Sequence, residues 1–256
     1  MLDESNYIQW ILLALIQGIT EYLPVSSSAH LILVSKIIGW KDQGLVMDIA
    51  AHSGSLIAVL WYFKTELKKL FIGNNWPLFN ILLIASVPLA ISGFLFAGYI
   101  EANLRSPKVI AFASIIFGVL LYFSDKFSNK TTSSVGLKSA IIIGLSQILA
   151  LIPGASRSGV TMTAAMAQGH SREAAAKFSF LLAIPALLMT TAYGFLKLYK
   201  EPTEYNVFGI LIVTSVSFLA SLISIKLFLK IIAKINMAYF MWYRIILGLT
   251  LLWYFK

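Results

Sequence analysis

Apolar runs separated by short polar connections fill almost the whole chain, and their lengths predict two kinds of helical element. Six runs are predicted to span a membrane, at residues 45–63, 79–99, 109–123, 175–198, 207–228 and 237–254. Others, at residues 8–16, 31–38 and 137–151, are too short, because a crossing takes roughly 20 apolar residues. Each short run leads into a dense polar turn. We therefore expect re-entrant helical hairpins at residues 8–38 and 137–168.

The hairpins divide the chain into two similar halves, residues 1–127 and 137–256. Gln17 to Pro24 and Gln147 to Pro153 open the two turns alike, each with glutamine, apolar residues, proline and then serines. A half with one re-entrant hairpin and three spans crosses an odd number of times, so the second copy must be inverted. We therefore predict an all-α polytopic membrane protein, a single membrane domain over residues 1–256 built as an inverted-topology repeat. The alternative is a chance similarity between two turns rich in serine and proline.

Composition supports the membrane interpretation. Hydrophobic residues make up 59% of the chain and charged residues 12%, against about 25% charged in soluble domains. The absence of cysteine excludes disulfides and thiolate metal sites. The net charge of +9 suits anionic membrane lipids better than nucleic acid, for which no aromatic and basic stripe is present.

Basic residues also predict sidedness. The connections assigned to one face, with Arg244 among them, carry more lysine and arginine than those of the opposite face, so that face is predicted to be cytoplasmic. The mouth of the first hairpin would then open to the outer face.

The first polar turn contains Gln17, Glu21, Ser26, Ser27 and His30. An ionisable residue at membrane depth indicates a functional site. A carboxylate beside an imidazole can orient the ring or hold a divalent cation, and a nearby serine can attack phosphorus. The alternative is purely structural: serines that cap a helix, a satisfied buried histidine, and a glutamate that pairs with Arg157.

The second turn supplies Ser156, Arg157, Ser158 and Thr161. Arginine is a permanent cation whose planar fork matches phosphate oxygens. A helix that begins at each turn would direct free N–H groups toward an anion. We expect Ser26, Ser27 and Ser28 to cap one such helix and Ser156 and Ser158 the other. If the two turns meet in one pocket inside the membrane, they form a phosphate or diphosphate site.

These residues also carry a resemblance. Gln17-Gly18-x-Thr20-Glu21-x-x-Pro24-Val25-Ser26-Ser27-Ser28-Ala29-His30 and Pro153-Gly154-x-Ser156-Arg157-Ser158-Gly159-x-Thr161 resemble the two signature motifs of bacterial undecaprenyl-diphosphate phosphatases of the bacitracin-resistance type. The resemblance implies hydrolysis of undecaprenyl diphosphate to undecaprenyl phosphate and inorganic phosphate. This reaction recycles the lipid carrier of cell-wall synthesis. It further implies a multi-pass protein of the bacterial inner membrane, with a site that opens to the outer face and depends on a divalent cation, Mg²⁺ or Ca²⁺.

Motif positions assign the expected roles. The predicted catalytic residues are Glu21, Ser27, His30 and Arg157, with Glu21 also the candidate metal ligand. Substrate binding falls on Gln17, Ser26, Ser156 and Thr161. Many family members have glutamate where this chain has Gln17, which leaves metal ligation at that position in doubt. The nucleophile is Ser27 or His30, with the other in proton transfer.

Several alternatives stay open at this stage. Asp48 and His52 are four residues apart and share one helix face, and the favoured interpretation is a capped helix start with an interfacial histidine. Gln147 either repeats the role of Gln17 or forms a hydrogen bond between helices. A polyprenyl-phosphate flippase or another transporter on inverted repeats is the competing function. A homodimer is one expected assembly.

Overall fold

The computed structural model describes residues 4–40, 44–71, 76–128, 131–200 and 206–255. Helices account for most of these residues, and the described part contains an isolated bridge between Thr132 and His170 but no strand. The helices are α1 (Glu4–Thr20), α2 (Ser27–Ile38), α3 (Leu45–Tyr62), α4 (Lys64–Phe71), α5 (Trp76–Asn103), α6 (Pro107–Phe127), α7 (Leu137–Ser146), α8 (Arg157–Ala167), α9 (Arg172–Lys200), α10 (Val207–Ile231) and α11 (Ala238–Tyr254), and a 3₁₀ turn, Gln147–Leu151, follows α7.

The apolar pattern predicted these elements well. Five helices in the described part of the chain (α3, α5, α6, α9 and α10) are long and apolar enough to cross a membrane. The sixth predicted span forms α11, which has 17 residues. The polar connections predicted around residues 41–42 and 73–75 lie outside the described residues. Helix α4 was not predicted; it follows α3 directly, and Glu66 on it pairs with Lys177 of α9 at 3.2 Å.

Helix α10 fixes the first hairpin by packing closely against both α1 and α3. A Cβ atom on Gly18 of α1 would lie 2.6 Å from the Cβ of Ala220, and one on Gly54 of α3 would lie 2.4 Å from the carbonyl oxygen of Thr214. Glycine is therefore required at both crossings, as is common where membrane helices approach closely. The close packing sets the position of α1 relative to α3, the two helices that carry Gln17 and His52.

Helices α6 and α11 pack together on the other side of the hairpins and enclose Arg244. Its assignment to the cytoplasmic face was wrong, because the residue is fully buried in the middle of α11. Its guanidinium donates hydrogen bonds to the carbonyl oxygens of Ser114 at 3.0 Å, Pro24 at 3.3 Å, Gly154 at 2.8 Å and Ala155 at 2.9 Å. The space for it comes from Gly118, where a Cβ would lie 3.0 Å from the Cβ of Arg244.

A buried ion pair fixes one end of these helices. Arg172, at the start of α9, donates to both oxygens of Asp125 of α6, at 2.6 and 2.7 Å. The Asp125 carboxylate also accepts from the backbone N–H of Met237, at 3.4 Å, just before α11. This bidentate pair therefore ties α6, α9 and α11 together at one end.

Candidate active site

The first hairpin turns sharply between α1 and α2. Ser26 has φ 69° and ψ 96°, a conformation that costs a residue other than glycine about 1–3 kcal/mol. Its hydroxyl makes no capping bond to α2 and instead lies 3.2 Å from the Ser28 hydroxyl. The prediction that Ser26 caps this helix through its side chain is therefore wrong.

The second hairpin repeats this backbone. Ser156 has φ 69° and ψ 111°, and Ser26 and Ser156 are the residues other than glycine with positive φ in the described chain. The hydroxyls of Ser156 and Ser158 lie 3.1 Å apart. Here the predicted cap is confirmed, because the Ser156 hydroxyl accepts from the backbone N–H of Gly159 at 3.2 Å.

The two tips meet, as the sequence predicted. Arg157 Nη2 donates to Glu21 Oε1 at 3.1 Å, and both side chains are nearly buried. The Ser158 hydroxyl donates to the carbonyl oxygen of Leu23 at 2.8 Å. Arg244 contacts both tips through the Pro24 and Gly154 carbonyl oxygens. Three independent polar contacts thus hold the two turns against each other.

Thr161 lies one turn into α8 and supports Arg157. Its hydroxyl is 2.9 Å from the Arg157 carbonyl oxygen and 2.7 Å from the Ser179 hydroxyl. Arg157 Nη1 donates to the Ser179 carbonyl oxygen at 2.9 Å. The guanidinium is therefore held between α9 and Glu21, with its position fixed by neutral partners on one side.

The second carboxylate oxygen of Glu21 accepts two hydrogen bonds. Ser27 Oγ donates to Glu21 Oε2 at 3.0 Å, and Gln17 Nε2 donates to the same oxygen at 2.9 Å. A hydroxyl bonded to a carboxylate is the arrangement in which a base activates a nucleophile. The geometry therefore pairs Ser27 with Glu21.

His30 faces away from Glu21. Its Nδ1 lies 2.7 Å from the Ser26 carbonyl oxygen and its Nε2 contacts the Tyr243 hydroxyl. A carbonyl only accepts, so Nδ1 carries the proton and Nε2 accepts from Tyr243 in the neutral ring. The two rings also stack, with centroids 5.5 Å apart. Of the two roles left open for Glu21, orienting His30 is therefore wrong, and binding a cation stays a prediction.

His52 joins the site through Gln17, and the favoured sequence interpretation of an interfacial histidine was wrong. Gln17 Nε2 lies 2.9 Å from His52 Nδ1 as well as 2.9 Å from Glu21. The contact joins residues 35 positions apart on α1 and α3, so no local pattern indicates it. Only a correct packing of those two helices could have revealed it.

Gln147 takes a structural position instead. It is fully buried, and its Nε2 donates to the Ala85 carbonyl oxygen of α5 at 3.3 Å. Of the two alternatives left open for Gln147, the hydrogen bond between helices is confirmed.

A cavity of about 620 Å³ opens beside these residues. Its polar wall includes Gln17, Ser27, Ser28, Asp48 and His52. Its apolar wall comes from α1, α2, α5 and the 3₁₀ turn, with Leu13, Leu31, Ile32, Ile100 and Leu151. Trp40 and Arg105, which line it near the ends of α2 and α5, lie at connections predicted to face outward.

Charges around the tips favour an anion. Arg157 is paired with Glu21, but the acceptors around Arg244 are backbone carbonyl oxygens. Glu21, Arg157 and Arg244 together carry one net positive charge, and on the cavity wall the charges of Asp48 and Arg105 balance. A net positive charge in a setting of low dielectric attracts an anion. Arginine also suits phosphate through its paired donors.

The same residues do not form a resident metal site. One oxygen of Glu21 is bound to Arg157 and the other to Ser27 and Gln17. No group of three histidine, aspartate or glutamate side chains suited to a metal occurs in the described part of the chain. A cation bound by Glu21 would have to displace one of these partners.

The fold and the site together define a class of protein: a multi-pass helical membrane protein in which two polar turns meet and place a serine and an arginine on one carboxylate. Comparison with known proteins gives the family. Residues 10–250 match the model of the bacitracin resistance protein BacA family, and the chain belongs to that family.

Relatives agree over almost the full chain. A protein named undecaprenyl-diphosphatase from Campylobacter concisus is 46% identical, covering 96% of this chain and 97% of the relative. Proteins of the same name from Campylobacter curvus and Colwellia psychrerythraea are 44% and 42% identical, and the alignments cover at least 96% of each chain.

Proposed function

We propose that this protein is a membrane phosphatase that hydrolyses undecaprenyl diphosphate to undecaprenyl phosphate and inorganic phosphate. The observation that carries the proposal is the contact of the two tips, which places the Ser27 hydroxyl and the Arg157 guanidinium on the two oxygens of one carboxylate, Glu21. Membership of the BacA family and the names of the relatives support the same activity.

In the first chemical step, Ser27 Oγ attacks the terminal phosphorus and Glu21 Oε2 takes its proton. The bond from that phosphorus to the bridging oxygen breaks, Glu21 gives the proton to that oxygen, and undecaprenyl phosphate leaves. Water then attacks the phosphoserine while Glu21 Oε2 takes a proton from it, the bond to Ser27 Oγ breaks, and Glu21 passes the proton to that oxygen. Inorganic phosphate is released and the free serine is regenerated.

Other groups bind and neutralise. Phosphoryl transfer depends mainly on positioning and on charge stabilisation at the equatorial oxygens. Arg157 supplies two donors, and the substrate's terminal phosphate competes with Glu21 for one of them. Ser26, Ser156 and Thr161 shape and support the two tips, and His30, with its Nδ1 proton held by Ser26, fixes the start of α2. The apolar wall of the cavity takes the first isoprene units of the lipid, and surrounding membrane lipids cover the exposed helix faces.

We further propose that the two halves are inverted repeats with re-entrant hairpins. Helices α1, α2, α3, α5 and α6 would correspond to α7, α8, α9, α10 and α11. Support comes from the matching φ of Ser26 and Ser156 and from helix packing: α3 packs on α10 as α9 packs on α5, and α1 packs on α10 as α7 packs on α5.

The proposed location is the bacterial inner membrane, with the cavity open to the outer face. Because the chain has no cysteine, single variants can map this directly. Ser106→Cys, near the cavity mouth, should react with an impermeant maleimide in intact cells, and Lys234→Cys should not. Reversed labelling would place the mouth at the cytoplasm.

We propose that Mg²⁺ or Ca²⁺ enters as the counter-ion of the diphosphate, and a homodimer remains a proposed assembly. The decisive experiment measures inorganic phosphate released from undecaprenyl diphosphate by the purified protein in detergent, with and without a chelator. The matched control is Ser27→Ala. A polyprenyl-phosphate flippase would release no phosphate, so absence of release by the wild-type protein would overturn the proposal.

A further inference from the structure

We infer that His52 is an additional substrate-binding residue, whose Nε2–H donates a hydrogen bond to the diphosphate in the cavity. The inference rests on the proposed phosphatase function and adds a direct contact outside the two tips. It comes from a single hydrogen-bonded chain that runs from Ser27 through Glu21 and Gln17 to His52.

Gln17 determines which nitrogen of His52 carries the proton. The amide Nε2 of Gln17 has two hydrogens and lies 2.9 Å from both Glu21 Oε2 and His52 Nδ1. Reversing the amide would place its oxygen against the carboxylate, which is repulsive, so the nitrogen occupies this position. His52 Nδ1 therefore accepts, and the proton of the neutral ring lies on Nε2.

The environment of Gln17 keeps this arrangement rigid. Gln17 is 1% exposed. Water from the cavity therefore does not readily replace Glu21 or His52 as a partner of its amide group. The backbone of α1 is fixed against α10 at Gly18, the next residue, where a Cβ would lie 2.6 Å from Ala220. The orientation of His52 is thus set by the packing of α1 and α3 on α10 rather than by contacts within its own helix.

The Nε2–H group is available to a ligand. His52 is half-buried and lines the cavity together with Ser27, the proposed nucleophile. Within the described residues, the His52 ring forms its hydrogen bond through Nδ1, with Gln17. A neutral donor facing a cavity that also exposes the nucleophile is suited to a phosphate oxygen.

The two histidines of the site therefore have opposite proton positions. His30 carries its proton on Nδ1, where it is used by the Ser26 carbonyl, and its Nε2 is occupied by Tyr243. His52 has Nδ1 occupied and Nε2–H directed to the cavity wall. Of the two, His52 is the one that has a proton to offer to the substrate.

Two substitutions separate substrate contact from support of Gln17. In His52→Asn the amide replaces the Nδ1 side of the ring and can still bond to Gln17, but no donor remains at the Nε2 position. In His52→Gln the longer side chain places an N–H near the Nε2 position. We expect His52→Asn to raise the KM for undecaprenyl diphosphate about tenfold or more with a smaller change in kcat, and His52→Gln to retain most of the wild-type KM.

The control for helix α3 is Ile57→Ala, which removes an exposed apolar side chain and should leave both constants unchanged. A wild-type KM in His52→Asn, or a loss confined to His52→Gln, would show that His52 only supports Gln17 and would overturn the inference. Phosphate release by the wild-type protein in the same assay separates this failure from failure of the proposed function.

A second measurement uses the unmodified protein, so that misfolding of a variant does not obscure the answer. Diethyl pyrocarbonate modifies accessible imidazoles, and mass spectrometry of the peptide containing His52 gives its rate. A saturating methylene-bridged analogue of the lipid diphosphate, which cannot be hydrolysed, should slow modification of His52 at least fivefold. An unchanged rate with the analogue bound would contradict the contact.

Discussion

The two hairpin tips have nearly the same backbone but different chemistry. Ser26 and Ser156 adopt the same positive φ of 69°, and each tip has a pair of serine hydroxyls 3.1–3.2 Å apart. The first tip adds the carboxylate and Ser27, the proposed nucleophile, whereas the second adds the arginine. Two copies of one turn can thus bring opposite charges together at one point. A single turn would have to hold both charges within a few residues.

The glutamines at the start of each tip show the same divergence. Gln17 bonds to Glu21 and His52 in the site, whereas Gln147 bonds to a backbone carbonyl oxygen of α5. The first tip therefore extends its polar network toward the cavity, while the second extends its network into the protein core. The comparison assigns chemistry to the first tip and charge and support to the second.

The sharpest test of this assignment is Ser27→Ala. Loss of the nucleophile should lower kcat for phosphate release by about a thousandfold or more. Ser28→Ala is the matched control, since Ser28 lines the same cavity but its hydroxyl contacts Ser26 rather than Glu21. We expect the kcat of this variant to stay within a few fold of the wild-type value.

A trapped covalent intermediate would sharpen the result. Rapid acid quenching during turnover should leave phosphate on the peptide containing Ser27. Phosphate on His30, or full activity in Ser27→Ala, would move the nucleophile elsewhere.

Breaking the connection between the tips should have the next largest effect. Arg244→Met leaves buried carbonyl oxygens of Pro24, Gly154 and Ala155 without their donor. Each such loss costs about 1–3 kcal/mol, so we expect the Tm in detergent to fall clearly and activity to fall with it. Arg105→Met, at the exposed cavity mouth, is the control and should leave Tm unchanged; an equal Tm in Arg244→Met would show that the tips do not depend on it.

Arg157→Lys tests the contribution of the second tip to the chemistry. Lysine keeps the charge but lacks the planar fork that holds the Ser179 carbonyl oxygen with one nitrogen and presents the other to Glu21 or a phosphate oxygen. We expect about a hundredfold loss of kcat/KM in the phosphate-release assay. Arg105→Lys, the same substitution at the cavity mouth, should lose far less of its kcat/KM. Near-normal turnover of Arg157→Lys would argue against contact between Arg157 and the phosphates.

The sequence predicted more of this picture than its local signals alone would suggest. Helix positions followed from the lengths of apolar runs, and the expected meeting of the two polar turns was confirmed, whereas the pairing of Glu21 with Arg157 had been named only as part of the structural alternative. Arg244 was misplaced because a charge within a helix looks like a helix end when its partners, the carbonyl oxygens of distant turns, are unknown. His52 was misjudged for the same reason: its partner lies on another helix.

The two glutamines allow a paired test with a smaller effect. Gln17→Glu would place a second carboxylate beside Glu21 and opposite the accepting nitrogen of His52, so we expect roughly tenfold lower activity and a steeper dependence on Mg²⁺. Gln147→Glu would bury a carboxylate against the Ala85 carbonyl oxygen and should instead lower Tm. Activity titrated against Mg²⁺, with Tm for both variants, checks the pair; identical behaviour would remove the distinction between the tips.

The smallest expected effect concerns the strained serines. Glycine at a positive φ relieves about 1 kcal/mol of backbone strain, and Ser26 has no capping bond to lose, so Ser26→Gly should raise Tm slightly. At Ser156 the same change also removes the bond from the Gly159 N–H, a cap that contributes about 1 kcal/mol, so Ser156→Gly should be nearly neutral. Alanine at each position retains the strain and gives the control, with Ser156→Ala expected to be the less stable of the two. If both glycine variants raise Tm equally, the Ser156 cap contributes nothing to stability. The two tips would then differ only in their side chains.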